Sequence, residues 1–242
     1  MKKINLLNDV ISLIQKTLWL SVCLSMTVSA ASPSVDWPTA AWPVKKSAPA
    51  DDLSYVSVLE KNIILHLNMA RTDPSRYSQE FIAPRGAFYN NKMYLAPGGP
   101  ENFIGLQTQE GFNAAYETAK VMNNTKALGS LKAHKKLTLA AQDHATDQSK
   151  YGGIGHASHD GSTLQNRVER HGKWQHTIGG NIINAANLGL DVVVGLLIDD
   201  GVENRGHRTN ILQKNYKVVA VACDKHPSYG RVCVMNFAGG IE

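Results

Sequence analysis

The sequence predicts an α+β fold arranged as one layered domain, and three observations predict it. Apolar residues at spacings of three and four recur through the first two-thirds of the chain. A β-branched run near the C-terminus, followed by a second across a loop containing Pro and Gly, reads as a hairpin. No internal repeat is visible, so helices precede a terminal hairpin in a mixed layer architecture. The length of 242 residues suits one ordinary domain with extra segments, and 43% hydrophobic with 19% charged residues is a globular composition.

The first segment is not part of that domain. Met1-Lys2-Lys3 is followed by a Leu-rich run from Leu18 to Val28 and by the small-residue pattern Val28-Ser29-Ala30. This order reads as a secretory signal peptide, residues 1–30, cleaved after Ala30. The apolar run of roughly ten to thirteen residues is shorter than the ~20 that a spanning helix needs, so no transmembrane segment is expected in the mature chain. Val22 ahead of Cys23 is a poor fit to a lipoprotein cleavage site. Cleavage removes Lys2, Lys3, Lys16 and Asp9, so the formal charge falls from +5 to +3. A balance this mild, with no basic stripe interleaved with aromatics, argues against a nucleic-acid partner. Export also leaves two cysteines, Cys223 and Cys233, and an even number in an exported chain implies a disulfide. Two buried free thiols are the alternative.

Residues 31–50 are rich in Ala, Ser and Pro, and Trp37 and Trp42 each precede a proline. They read as an extended linker or an arm outside the core. The domain proper, residues 51–242, begins with a helix expected over Leu53–Met69, where Val56, Leu59, Ile63 and Leu67 share a face. Asp73 and Pro74 fit the cap and first position of a further turn. Residues 83–107 read as a long irregular loop with a short strand at Lys92–Leu95. Thr108 is the expected cap of the next helix, which ends at Asn123-Asn124 and has Phe112, Ala115, Ala119 and Met122 along one face. A helix over Leu131–Lys150 places Leu137, Ala141, His144 and Gln148 on one side, with His144 as a hydrogen-bonded packing residue. Gly152-Gly153 breaks it, and Asp160-Gly161 forms a turn. Ser162 and Gln165 form the expected capping box of a helix ending at Gly172. Asp191 is the expected cap of a buried helix running to Asp200 and closed by Gly201. Lys217–Cys223 and Arg231–Phe237 are the hairpin strands. Cys223 and Cys233 flank its loop, where a bond would stabilise by ~2–3 kcal/mol.

The chemistry concentrates in two His-bearing stretches, Gly155-His156-Ala157-Ser158-His159-Asp160-Gly161-Ser162-Thr163 and Gly206-His207-Arg208-Thr209-Asn210-Ile211-Leu212. Imidazoles leaving loops near helix starts, with Asp199 and Asp200 close by, form a donor set for zinc or another borderline divalent ion. The competing reading is that each His bonds its own loop. No HisGluXxxXxxHis helix, phosphate loop or GlyXxxSerXxxGly elbow is present.

The order of these pieces resembles the CAP superfamily, the secreted domain of cysteine-rich secretory, antigen-five and pathogenesis-related proteins, in a bacterial branch. Asn68 and Arg71 resemble its first-helix Asn-Xxx-Xxx-Arg motif. His156 with Asp160-Gly161-Ser162-Thr163 and Arg167 resembles the bacterial His…Asp-Gly-Ser/Thr…Arg segment. Gly179-Gly180-Asn181-Ile182 aligns with Gly-Glu-Asn-Ile, and Gly206 through Leu212 matches His-Arg-Xxx-Asn-Ile-Leu. The resemblance runs from about Ser57 to Gly240. It implies an α-β-α sandwich with a cleft of two His and two acids that in several members holds a divalent ion. By position the cleft residues are His156, His207, Asp199 (Asp200 as the register alternative) and, where the family has Glu, Gly180. The metal set the resemblance implies is therefore His156, His207 and Asp199, and Asn181 holds its loop. Gly180 removes one acid. The expected function is a non-enzymatic binder of a lipid, a surface component or a protein. A metal-dependent hydrolase or peptidase using His156, His207 and Asp199, and a purely structural or immune-interaction protein, are the other readings.

Overall fold

The computed structural model divides the chain into two compact units, Met1–Pro33 and Ser34–Glu242. The described residues are Trp42, 53–95 and 105–242, all of them in the second unit. Residues 1–30, expected to be a signal peptide, and most of the 31–50 segment lie outside the described residues.

Helix α1 spans Val58–Thr72 rather than starting at Leu53, because Ser57 and Glu60 form a reciprocal capping box immediately before it. Asp73 caps α2 (Pro74–Tyr77), with Pro74 at its first position as expected. A π-helical turn (Ser78–Ile82) and a 3-10 turn (Ala83–Phe88) follow. The segment expected to be irregular also holds a small antiparallel sheet of β1 (Tyr89–Asn90), β2 (Met93–Tyr94) and β3 (Leu106–Gln107). Helix α3 (Phe112–Asn124) starts four residues beyond the expected cap. The Thr108 hydroxyl instead donates to Lys92 O at 2.6 Å, so it closes the small sheet. Phe112 is 44% exposed, and Ala114 and Thr118 join the buried face in its place.

The expected helix over 131–150 resolves into β4 (Lys132–Ala133) and α4 (Lys135–Tyr151), ended by Gly152 in the left-handed conformation. The cap of α5 (Leu164–Glu169) is Thr163 with Asn166, one residue later than the sequence predicts. Strand β5 (Trp174–Asn184) carries the Gly179-Gly180-Asn181 stretch. Helix α6 (Gly189–Ile198) begins before Asp191, whose carboxylate pairs with Arg85 at 2.6 Å instead of capping. Helix α7 (Gly206–Ile211), β6 (Val218–Asp224) and β7 (Val232–Ile241) complete the chain.

The main sheet has the order β4-β6-β7-β5. Its β4–β6 pair is parallel, and the other two pairs are antiparallel. Alternation along β6 separates two cores: Val219 and Val221 pack with α1, α3 and α6 residues such as Ile63, Met122 and Val193. Ala220 and Ala222 pack with Leu137, Ala141 and Ala145 of α4. Period-two side chains facing helices on both sides produce the α-β-α sandwich. Cys223 and Cys233 are direct partners in the β6–β7 ladder and form the expected disulfide.

Candidate functional site

Asp199 organises the site. It ends α6 in the left-handed conformation at φ 54°, 4% exposed, so it is not the helical acid that the sequence implied. An aspartate tolerates that backbone, and the turn aims its carboxylate at the start of α7. Oδ2 accepts the His207 N–H at 2.9 Å and Oδ1 lies 2.6 Å from His207 Nδ1. A carboxylate only accepts, so Nδ1 carries a proton, and Nε2 is the ring nitrogen left outside this contact. Asp200 points elsewhere, accepting from Gln109 N at 2.6 Å and Glu110 N at 2.8 Å.

The loop after Asp199 is braced by charges that sequence reasoning missed. Arg205 makes a two-pronged contact with Glu110 at 2.6 Å on each oxygen. Arg208, 3% exposed, pairs with Glu117 at 2.7 Å. Bonds to Arg205 and to Gly201 N hold the Glu110 carboxyl down at about 2. These partners sit about ninety residues away in sequence, and nothing local marks them.

His156 reaches the site from the other layer. Its carbonyl accepts from Arg167 Nη2 at 3.0 Å, while Arg167 Nη1 also bonds Ser162 O and Ser158 Oγ. His144 packs behind that loop: Nε2 lies 2.9 Å from Gly155 O and Nδ1 3.1 Å from Ser158 Oγ. Burial, then the charges of His207 and Arg167, lower the His156 pKa. His156 therefore stays neutral at neutral pH.

Asn181 is fully buried and donates to His207 O at 3.0 Å, while Asn210 donates to Asn181 Oδ1 and Gly180 O. These bonds seat α7 on β5. Gly179 is dictated by the same contact, because a Cβ there would lie 2.1 Å from the Tyr216 hydroxyl. Gly179→Ala is expected to lose about 1–3 kcal/mol in urea unfolding, with Tyr216→Phe recovering part of it.

His156, His207, Gly180, Val202, Asn204, Gly206, Thr209 and Asn210 line one cleft of about 520 Å³. The structure thus brings His156, His207 and Gly180 together and sets Asp199 behind His207. The expected metal set fits poorly. Both Asp199 oxygens are committed to His207, no acid lines the cleft, and zinc takes three or four protein ligands. Among the described residues no group of three His, Cys, Asp or Glu is placed to hold an ion. Among the described residues the cleft lining offers neither serine nor cysteine, and its one hydroxyl is that of Thr209.

No helix among the described residues is long and apolar enough to cross a membrane. No curated protein matches the chain. Among solved structures it is similar to an extracellular protein containing an SCP domain from Bacillus anthracis, at 22% identity and TM-score 0.38, covering 52% of this chain and 37% of that one. The chain thus spans well under half of that relative's length. An outer surface protein from Borrelia burgdorferi matches at 15% identity and TM-score 0.40, covering 52% of this chain and 86% of that one. The family model for the cysteine-rich secretory protein family, CAP, matches residues 46–237. With that match spanning most of the chain and the whole His156–His207 cleft, the chain belongs to the cysteine-rich secretory protein (CAP) family.

Proposed function

We propose that this chain is an exported, non-catalytic binding module whose His156–His207 cleft receives a polar group of a lipid, a surface component or a protein. The observation that carries this reading is the acid-free lining of the cleft. Asp199 is spent orienting His207, and Gly180 leaves no second carboxylate. What remains is hydrogen-bonding capacity from two imidazoles, Asn204 and Thr209, which suits recognition better than turnover. Export is supported by the leader-like pattern ending at Ala30 and by the Cys223–Cys233 bond, which persists in oxidising compartments. A metal-dependent hydrolase would need the carboxylate that Asp199 no longer has to offer.

The test is a zinc titration beside a hydrolysis panel of peptide and ester substrates. The wild type is expected to bind zinc no better than the His156→Ala/His207→Ala double variant and to turn nothing over. Hydrolysis that disappears in His207→Ala would sink this reading. Gly180→Glu sharpens the comparison. The nearest atoms to a Cβ at Gly180 would be Leu164 Cδ2 at 3.3 Å, Met235 O at 3.4 Å and Asn236 Oδ1 at 3.5 Å, so the side chain enters with a small shift of the flexible Leu164 end. It supplies the missing ligand, and zinc affinity is expected to rise at least about tenfold over the wild type. Organic extraction of the purified wild type, followed by mass spectrometry, separates a lipid occupant from the other two.

A further inference from the structure

Trp42 stands in the Pro-rich segment that the sequence places outside the core, yet it is only 4% exposed and belongs to the main apolar cluster. The composition of the segment hides this, because the partners of Trp42 lie more than thirty residues downstream. Its indole Nε1 donates to Glu80 Oε2 at 2.6 Å. Its ring lies 6.1 Å from Phe81 and 6.3 Å, edge-on, from Tyr77. The Arg76 guanidinium sits 4.5 Å over the ring. Arg76 Nε also donates to Glu80 Oε1 at 2.7 Å, so one carboxylate serves the arginine with one oxygen and the indole with the other.

All four partners come from one short stretch, α2 and the π-helical turn after it. Tyr77 and Phe81 are fully buried and packed against each other at 4.9 Å, so the floor of the recess is part of the domain's own core. Glu80 is held anionic: burial pushes its pKa up, but the bonds from Arg76 and Trp42 and the charge of Arg76 outweigh that and bring it down. An aromatic floor, a cation over the ring and a fixed acceptor for a ring N–H together define the recognition of an indole.

We propose that this recess is a binding site for a tryptophan side chain, and that Trp42 fills it in cis. The rings and Arg76 would hold any large aromatic side chain, whereas the Glu80 acceptor selects tryptophan over phenylalanine. Another Trp-Pro segment could enter only by displacing Trp42. The chain itself carries a second such dipeptide, Trp37-Pro38, so a test must remove both.

The experiment uses the chain with Trp37→Ala and Trp42→Ala, titrated calorimetrically with a peptide of residues 39–46. Saturable binding is expected, with a Kd on the order of millimolar or tighter, the effective concentration a short tether supplies. The wild type, its recess filled, should bind the peptide at least about tenfold more weakly. So should the double variant against a peptide carrying Phe in place of Trp42, and the double variant with Glu80→Gln against the original peptide. A folded double variant that binds nothing overturns the proposal, as does equal binding to wild type and variant. Equal affinity for the Trp and Phe peptides overturns the role of Glu80. Should the double variant not fold, Trp37→Ala with Trp42→Phe keeps the ring contacts. The Trp peptide should then displace the substituted phenyl ring, binding at least about tenfold more strongly than to the wild type. Failure to do so also overturns the proposal. A wild-type mass that doubles with concentration in light scattering would place the occupant on a second copy and overturn docking in cis.

Discussion

Arg71→Met is expected to lower the unfolding free energy by about 3–5 kcal/mol in urea titration at neutral pH. Arg71 lies in the last turn of α1 and is 1% exposed. Its Nε donates to Gly129 O at 3.0 Å, and Nη1 to Ile211 O at 2.6 Å and Gln213 O at 2.9 Å. Its own carbonyl accepts from Leu128 N at 2.7 Å. Burial lowers the guanidinium pKa to about 10, still high enough to keep it charged at neutral pH. Methionine fills most of the volume but leaves three carbonyls without that donor, each a loss of about 1–3 kcal/mol when water cannot reach it. Arg71→Lys should recover only part, because an ammonium on a flexible stem does not reproduce a planar fork reaching three acceptors. A loss under about 1 kcal/mol for Arg71→Met would mean that water takes the arginine's place.

The same residue connects the first helix to the cleft. Ile211 ends the helical turn whose second residue is His207, and Gln213 lies just beyond it. Asn68, one turn earlier on α1, completes the clamp: Nδ2 donates to Leu131 O at 3.0 Å and Oδ1 accepts from Leu131 N at 2.7 Å. The Asn68-Xxx-Xxx-Arg71 motif is therefore a fastening for the segments on which the site stands. Arg71→Met should loosen α7 as well as the whole domain, visible as broadening of the His207 imidazole resonances before global unfolding.

How much is legible in the sequence follows from how local each signal is. The β6–β7 hairpin and its disulfide are legible, because a β-branched run, a turn and two flanking cysteines lie within a few residues of one another. The four motifs are legible as a family resemblance, and the structure brings three of them to one cleft. Strand β5 is not, because Gly179 and Gly180 carry no β signal. Gly179 is there because the Tyr216 hydroxyl crowds that position. The start of α1 is obscured because Val56, though buried, lies ahead of the capping box. Thr108 and Asp191 look like caps, but distant partners, Lys92 O and Arg85, claim their oxygens. The role of Asp199 is hidden for a similar reason. Its left-handed backbone turns the carboxylate onto His207, a geometry with no signature in the order of residues.

The second large effect is in acid. His66 is 7% exposed on α1, facing the aromatic cluster beneath Trp42, with Nδ1 3.3 Å from the Tyr77 hydroxyl and its ring edge-on to Phe81 at 5.7 Å. Burial lowers its pKa from 6.5 to about 4. The nearby Asp191 opposes this, and Arg85 adds to it. The unfolded chain therefore takes up a proton on His66 between pH 6.5 and about 4, where the folded chain does not. Stability consequently falls as the pH drops through that window and is level on either side of it, so far as this group is concerned. At about 1.4 kcal/mol per pH unit the loss is about 3 kcal/mol. Urea unfolding at about pH 7.5, 5.5 and 4 measures it against His66→Gln, whose amide can still meet the Tyr77 hydroxyl and does not titrate. The variant starts less stable, since Gln packs poorly between Tyr77 and Phe81, but it should lose about 3 kcal/mol less than the wild type over the window. His144 and His156, whose pKa values are also lowered by burial, contribute equally to both proteins and cancel in the difference. Parallel decline of the two chains would show that His66 accepts its proton in the folded state, with Asp191 outweighing the cost of burial.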